Sequence, residues 1–315
     1  MRRVCAAWRV ARSSFYDARR QEERPHQSPA GRRGPKPALT DVELLAAIRR
    51  DLDRSPWTGE GHRKVWARLR VIDGIRVGRA RVLRVMGENH LLSPHRRPPR
   101  PANDHDGCIT TDAPNVMWGA DGAVVPTVED GNVTLFIVAE HWNAEGLGWH
   151  VAKHGNRYAA AEALALAVKQ VFGSVQADAA RGVLLRHDHG SPFMSEHFQN
   201  QLGFFGMAPS FAFVRQPETN GVAERFIRTL KEQVVFGRIY QDIEEVRTAV
   251  RTSVERYNEH GLLEKNGYRS PAQTRRDRMA STTTTQGGRI TLSCVRKTGC
   301  GTWPTTACPS SRLGR

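Results

Sequence analysis

Three acidic side chains stand where acids are costly or conspicuous: Asp121, Asp188 and Glu224. Asp121 interrupts the apolar run WGADGAVV, where a carboxylate must be paired or face solvent. Asp188 closes the apolar run in VLLRHDHGSPF, between two histidines and ahead of Gly-Ser-Pro. A turn aspartate is the simplest account of that position, because Asp and Gly start turns readily. The alternative is membership of a carboxylate set that holds metal. Glu224 follows Asp188 after 35 intervening residues and shares a helical face with Arg228 and Lys231, at i+4 and i+7. If the three acids converge, each pair at about 4 Å repels by about 4 kcal/mol at an effective dielectric near 20. That total would offset much of a domain's stability of roughly 5–15 kcal/mol, so protons or a divalent cation must relieve it. All-oxygen ligands favour Mg²⁺ or Mn²⁺ over zinc. Two such ions about 3.5–4 Å apart form a clamp for in-line phosphoryl transfer. The spacing permits convergence without requiring it.

Positioning acids so distant in sequence takes a sheet and at least one late helix. VMWGADGAVV, NVTLFIVAE and LGWHVAK read as three consecutive strands separated by turn residues. A helix over 158–172 carries Ala161, Leu164, Val168 and Val171 along one stripe. GVLLRHD is a further strand, SEHFQNQLGFFG a helix and PSFAFV a short apolar segment. GVAERFIRTLKEQVV begins a long helical region, and IEEVRTAVRTSVERYN places Val246, Val250 and Val254 four apart. Strands in a block, then alternating with helices, indicate a mixed α/β domain.

The front of the chain differs in charge. Residues 1–107 hold 24 of the 47 Lys/Arg and 12 of the 32 Asp/Glu, so twelve of the fifteen net positive charges lie there. Such asymmetry suits a part that grips nucleic acid, joined to a domain of another kind. In 1–25, Ser13 or Ser14 can cap a basic aromatic helix, which suits a partial helix-turn-helix or, equally, a frayed terminus. Residues 26–38 are a Pro/Gly/Arg linker. Thr40 and Glu43 then form a capping box, opening a helix that buries Leu44, Leu45, Ile48 and Leu52. Val65 and Leu69 face inward on a second helix, and Val82, Val85 and Met86 on a third. Arg79, Arg81 and Arg84 point outward on that third helix, either as a DNA-reading face or as a solvated one. The segment 39–92 is thus a helix-turn-helix unit, and 93–112 a second linker.

The five cysteines are scattered and form no C-x-x-C pair, which argues against a disulfide framework and a zinc knuckle. No apolar run approaches the roughly 18 residues of a membrane span, and the first residues lack a signal-peptide core, so a cytoplasmic protein is expected. From about Ala280 the text turns to Thr, Gly, Ser and Cys without period; 277–315 is expected to be a disordered, atypical tail.

Taken in order, PNVMWGAD, LGWHVAKHGN, RHDHGSPFMSEHF, PETNGVAERFIRTLKEQ and YNEHGLLEKNGYRSPAQ resemble the DDE superfamily of transposases and retroviral-type integrases. More narrowly, they look like the second-reading-frame product of the IS-three group of bacterial insertion sequences. GHRKVWARLR and GRARVLRVMGENHLLSP resemble that group's helix-turn-helix segment. The resemblance implies an α/β, RNase H-like catalytic core over 113–276, a mixed five-stranded sheet with flanking helices behind small all-α segments. It implies Asp121, Asp188 and Glu224 as catalytic and metal-binding acids, with two Mg²⁺ or Mn²⁺ ions. Lys231, Arg228 and Asn220 would approach terminal DNA, positioning phosphates or bases rather than doing chemistry. His187 and His189 read as flanking residues. The activity implied is cleavage and strand transfer at insertion-sequence ends, by a homo-oligomer on DNA that joins the product of an upstream frame. The alternative is a DNA-binding remnant or regulator of transposition without chemistry.

Overall fold

Strand β1 (Met117–Pro126) continues through Asp121 and the following Gly-Ala without a break, paired antiparallel with β2 (Asn132–Glu140) over its whole length from Trp118. Gly131, at φ 68°, takes the left-handed conformation that the tight connection requires, and its carbonyl accepts the Thr127 N–H at 2.8 Å. Strand β3 (Gly146–Ala152) adds to β2, again antiparallel. Strands β4 (Leu184–His187) and β5 (Ala208–Phe211) then join parallel to β1, giving the sheet order β3-β2-β1-β4-β5. This is the mixed five-stranded, RNase H-like arrangement expected from the sequence. The structure, a computed structural model, describes residues 2–8, 10–22, 38–93, 110–211 and 221–282. Asn220, most of both linkers and residues 283–315 of the tail lie outside that set.

The sheet is covered on both faces, which is why β2 reads as an almost unbroken apolar run. One face carries Trp118, Ala120, Phe136 and Val138 against helices α6 (Arg157–Phe172) and α8 (Glu196–Phe204). Asn156 caps α6 by accepting the N–H groups of Tyr158 and Ala159, both at 3.0 Å. Gly148 lets α6 approach closely: a Cβ there would stand 2.5 Å from the Ala163 carbonyl oxygen. A one-turn helix α7 (Ser191–Met194), absent from the sequence reading, follows Asp188. The opposite face carries Ala123, Val125, Leu135 and Ile137 against α9 (Gly221–Leu230) and α10 (Ile243–His260). Asp242 caps α10 at the Glu245 N–H, 2.9 Å away. Val246, Val250 and Val254 are buried along α10 as their spacing predicts. A last helix, α11 (Pro271–Thr282), packs on α10.

The described residues divide into two compact units, up to Ala46 and from Ala47. In the first, α1 (Arg2–Ala7) and α2 (Arg12–Glu22) are short helices. Because α2 begins at Arg12, Ser13 and Ser14 fall inside its first turn, not ahead of it as caps. The expected capping box is present: Thr40 N–H donates to Glu43 Oε2 at 2.7 Å, and Glu43 N–H to Thr40 Oγ1 at 3.3 Å. It opens α3 (Asp41–Arg54), which crosses the division. In the second unit, α4 (His62–Val71) and α5 (Arg79–Glu88) pack together, burying Val65 and Leu69 with Val82, Val85 and Met86. Arg68 holds this segment from inside, donating to both carboxylate oxygens of Asp51 at 2.8–3.1 Å.

Candidate active site

The last paired positions of β1 and β4 are Gly119 and Arg186. Asp121 and Asp188 each stand two residues further along, so adjacent parallel strands deliver both acids to one edge of the sheet. Alternation along β1 puts Asp121 on the same side as Ala123 and Val125, the side covered by α9. Its carboxyl is pushed up from 3.8 to about 6, first by burial and also by the charge of Asp188. The Gly122 N–H, donating to Oδ1 at 2.7 Å, and the Lys231 ammonium oppose that rise. The two strand acids therefore feel each other.

Asp188 also makes a turn. Its Oδ1 accepts the Gly190 N–H at 2.9 Å, and a Cβ at Gly190 would meet the same oxygen at 2.9 Å. The turn account and the charged-site account both hold for this residue. His187, by contrast, is fully buried: its ring stacks on Phe193 and its Nδ1 lies 2.7 Å from the Asp188 carbonyl oxygen. Burial holds its pKa below the usual histidine range, so it packs as a neutral ring.

Glu224 lies in the first turn of α9 and is half-buried. Ala223, Phe226, Ile227 and Leu230 fix that helix on β1 and β2. Phe226 sits directly over Gly146, where any Cβ would collide with its ring, and lies 4.9 Å from the Tyr257 ring. At 3.6 residues per turn, Glu224 and Lys231 fall on one flank of the buried stripe. From Lys231 to Val235 the helix widens into a π-helical turn, a feature frequent at functional sites. Among the described residues, no group of three or more Asp, Glu, His or Cys side chains is arranged to hold a metal ion. The pair Asp121 and Asp188 does fit a hard cation, since both offer oxygen donors and their mutual repulsion is of the kind a cation relieves.

The arginines assigned to DNA are more occupied than their exposure in sequence implied. Arg228 pairs with Glu232 at 2.8 Å and lines a cleft beside α9. Arg79 reaches Glu264 at 3.4 Å, and Arg84 pairs with Glu88 at 2.9 Å. Arg81 is half-buried.

A second polar cluster was not legible as a site. Glu140 is fully buried where β2 ends; it accepts the N–H groups of Asn115 at 2.8 Å and Trp142 at 3.2 Å, and Arg275 of α11 approaches to 3.3 Å. Asn258 exchanges two hydrogen bonds with the Gly146 backbone, at 2.9 and 2.8 Å, while Tyr257 donates to the Ala144 carbonyl at 3.0 Å. The Tyr-Asn pair in YNEHG thus anchors the β2–β3 turn and, through Phe226, the seat of α9.

Similarity to known proteins was found in both sequence and structure. The family profile described as integrase core domain matches residues 206–271, and that described as HTH-like domain matches residues 40–99. Transposase InsD for insertion element IS2A/D/F/H/I/K of Escherichia coli is 28% identical over 245 residues, covering 76% of this chain and 80% of that protein. The same identity and coverage hold for the InsD transposase of IS2 on F plasmid. Over that span the chain is similar in sequence to these insertion-sequence transposases. Among solved structures, the catalytic core domain of BIV integrase is 18% identical, with 54% of this chain and 99% of that chain covered and a TM-score of 0.38. The simian T-cell lymphotropic virus intasome gives 14% identity, 82% and 80% coverage and a TM-score of 0.45.

Proposed function

We propose that this protein is a DNA transposase of the DDE type, cutting and joining strands at insertion-sequence ends with a divalent metal. The observation that carries the reading is the delivery of Asp121 and Asp188 to one sheet edge, with the Lys231 charge acting on the half-buried Asp121. The integrase-core and helix-turn-helix profiles and the InsD relatives support the same class. Asp121 and Asp188 would hold the cation, and Glu224 would complete the set from α9. When bound, Mg²⁺ or Mn²⁺ stabilises charge at a phosphodiester and activates an attacking oxygen. Lys231 places a cation beside the acids, suited to orienting a phosphate of the terminal DNA. Asp121, with its raised pKa, keeps a proton below about pH 6 and then offers no anionic donor. Arg79, Arg81 and Arg84 would contribute to DNA binding from α5, Arg228 from α9 and Asn220 from just ahead of it, and two ends handled together imply a homo-oligomer on DNA.

The test is a strand-transfer assay on the full chain, alone and fused to its upstream frame, with labelled duplexes from the element's own ends. Joined products in Mg²⁺ or Mn²⁺ that vanish in D121N, D188N and E224Q support the proposal. Products undiminished in the variants would overturn the site. End binding without any cutting in either form would favour the regulator, and cutting without joining a general nuclease.

A further inference from the structure

A cleft of about 980 Å³ lies between the α4–α5 segment and the outer side of α9, away from Glu224 and Lys231. Its walls carry six cationic side chains, Arg63, Lys64, Arg84, Arg225, Arg228 and Lys265, against three glutamates. Several are engaged: Arg63 lies 3.5 Å from Glu264, Arg228 pairs with Glu232, and Lys64 donates to the Leu262 carbonyl. Arg225 is exposed on the cleft wall and has no carboxylate partner among the described residues. Lys64, half-buried on the same cleft, has its pKa depressed by burial and by the repulsion of Arg225 and Arg68, against the pull of Glu60. A wall with surplus positive charge and a desolvated ammonium is completed by an anion.

The shape narrows which anion. The cleft follows α9 from Gly221 to Gln233, a rise of about 18 Å at 1.5 Å per residue. Even against the roughly 3.4 Å axial rise per nucleotide of a strand in a duplex, that length exceeds a single nucleotide step several times over. Trp57 and Tyr268, both half-buried, line the same space. Trp57 packs on the α9–α10 core and Tyr268 on Trp66 at 5.1 Å, and the aromatic surface each leaves open to the cleft is of the kind on which bases stack. Cations along a backbone track, with aromatic platforms beside them, are the features of single-strand binding.

We propose that this cleft binds a single nucleic-acid strand along the back of the catalytic helix, with Arg225 as its principal phosphate partner and Trp57 and Tyr268 as stacking surfaces. The identity of the polyanion rests on the transposase reading; the cationic lining does not. The strand would run along α9 clear of Glu224 and Lys231, which do not line the cleft, and would use Arg84 and Arg228 among its phosphate contacts.

Fluorescence anisotropy of labelled dT15 with the full chain tests this. R225E should weaken binding at least tenfold and lower the salt slope by about 0.7 for each phosphate it no longer neutralises. R251E, which changes the net charge equally at an exposed position outside the cleft, should leave it within twofold; circular dichroism verifies both folds. Equal weakening in R225E and R251E would reduce the effect to net charge and overturn the proposal. Full competition by tripolyphosphate at the affinity of dT15 would overturn the strand in favour of a small-anion pocket. D121N separates this idea from the catalytic one: it should bind dT15 like the wild type while failing in strand transfer. If the wild type joins no DNA yet R225E still fails to hold dT15, the cleft stands and the transposase reading falls.

Discussion

Asp121 and Asp188 occupy equivalent steps on neighbouring parallel strands, each two residues past the last paired position, and the buried one carries the electrostatic consequence. An acid raised from 3.8 to about 6 on folding disfavours the folded state wherever it is ionised there. Below the unfolded value both states hold the proton and no stability is forfeited. As pH rises through about 6 the folded chain must ionise a half-buried group, at a cost of at most about 3 kcal/mol. D121N should therefore melt higher than the wild type at pH 7.5, with the difference shrinking towards pH 4. Added Mg²⁺ should raise the wild-type melting temperature and not that of D121N. Superimposable wild-type and D121N curves across the pH range would refute the coupling.

Metal binding should follow the same group. Mn²⁺ affinity, read by calorimetry, is expected to fall about tenfold per pH unit below about 6, because binding must displace one proton. E224Q should weaken Mn²⁺ binding if α9 supplies a ligand. An unchanged affinity would leave Glu224 outside the metal set.

Gly146 is the seat of Phe226, and a methyl group there has nowhere to go. G146A should cost about 1–3 kcal/mol by overpacking, measured by urea denaturation. Strand transfer should fall as well, because α9 lifts from β2. The double variant G146A/F226L should recover stability, and failure to do so would place the strain elsewhere.

Glu140 is held in the interior by two backbone donors and Arg275. R275M removes the only countercharge close enough to pair with it among the described residues and should destabilise by about 3 kcal/mol. Adding E140Q should restore part of that stability, since a neutral amide no longer needs the cation. Chemical denaturation of the two variants decides it.

The sheet was legible because its strands are buried on both faces: VMWGADGAVV and NVTLFIVAE leave little room for any other element. The capping box at Thr40 and Glu43 and the valine stripe of α10 were equally plain, being local in sequence. What escaped the sequence is set by distant partners. Helical periodicity groups Arg228 with Glu224 and Lys231 but does not say that Arg228 spends its guanidinium on Glu232 one turn on. Arg79 is exposed as it reads in the sequence, but its partner Glu264, 185 residues later, could not be foreseen. The π-helical turn at Lys231 has no residue signature; Glu140 stands out in the sequence as a structural acid, but its partners Asn115 and Arg275 lie too far along the chain to be read from it. The meeting of Asp121 with Asp188 was permitted by spacing and decided by strand register.

Gln233 closes a ring with the backbone of Thr58, accepting its N–H at 2.9 Å and donating to its carbonyl at 2.8 Å. One side-chain amide thus behaves like a fragment of sheet, stitched between the helical front segment and the widened turn two residues after Lys231. At about 1 kcal/mol each, these bonds alone bias attachment roughly thirtyfold. A tug on the front segment is therefore delivered to the lysine beside the acids within a single side chain's reach.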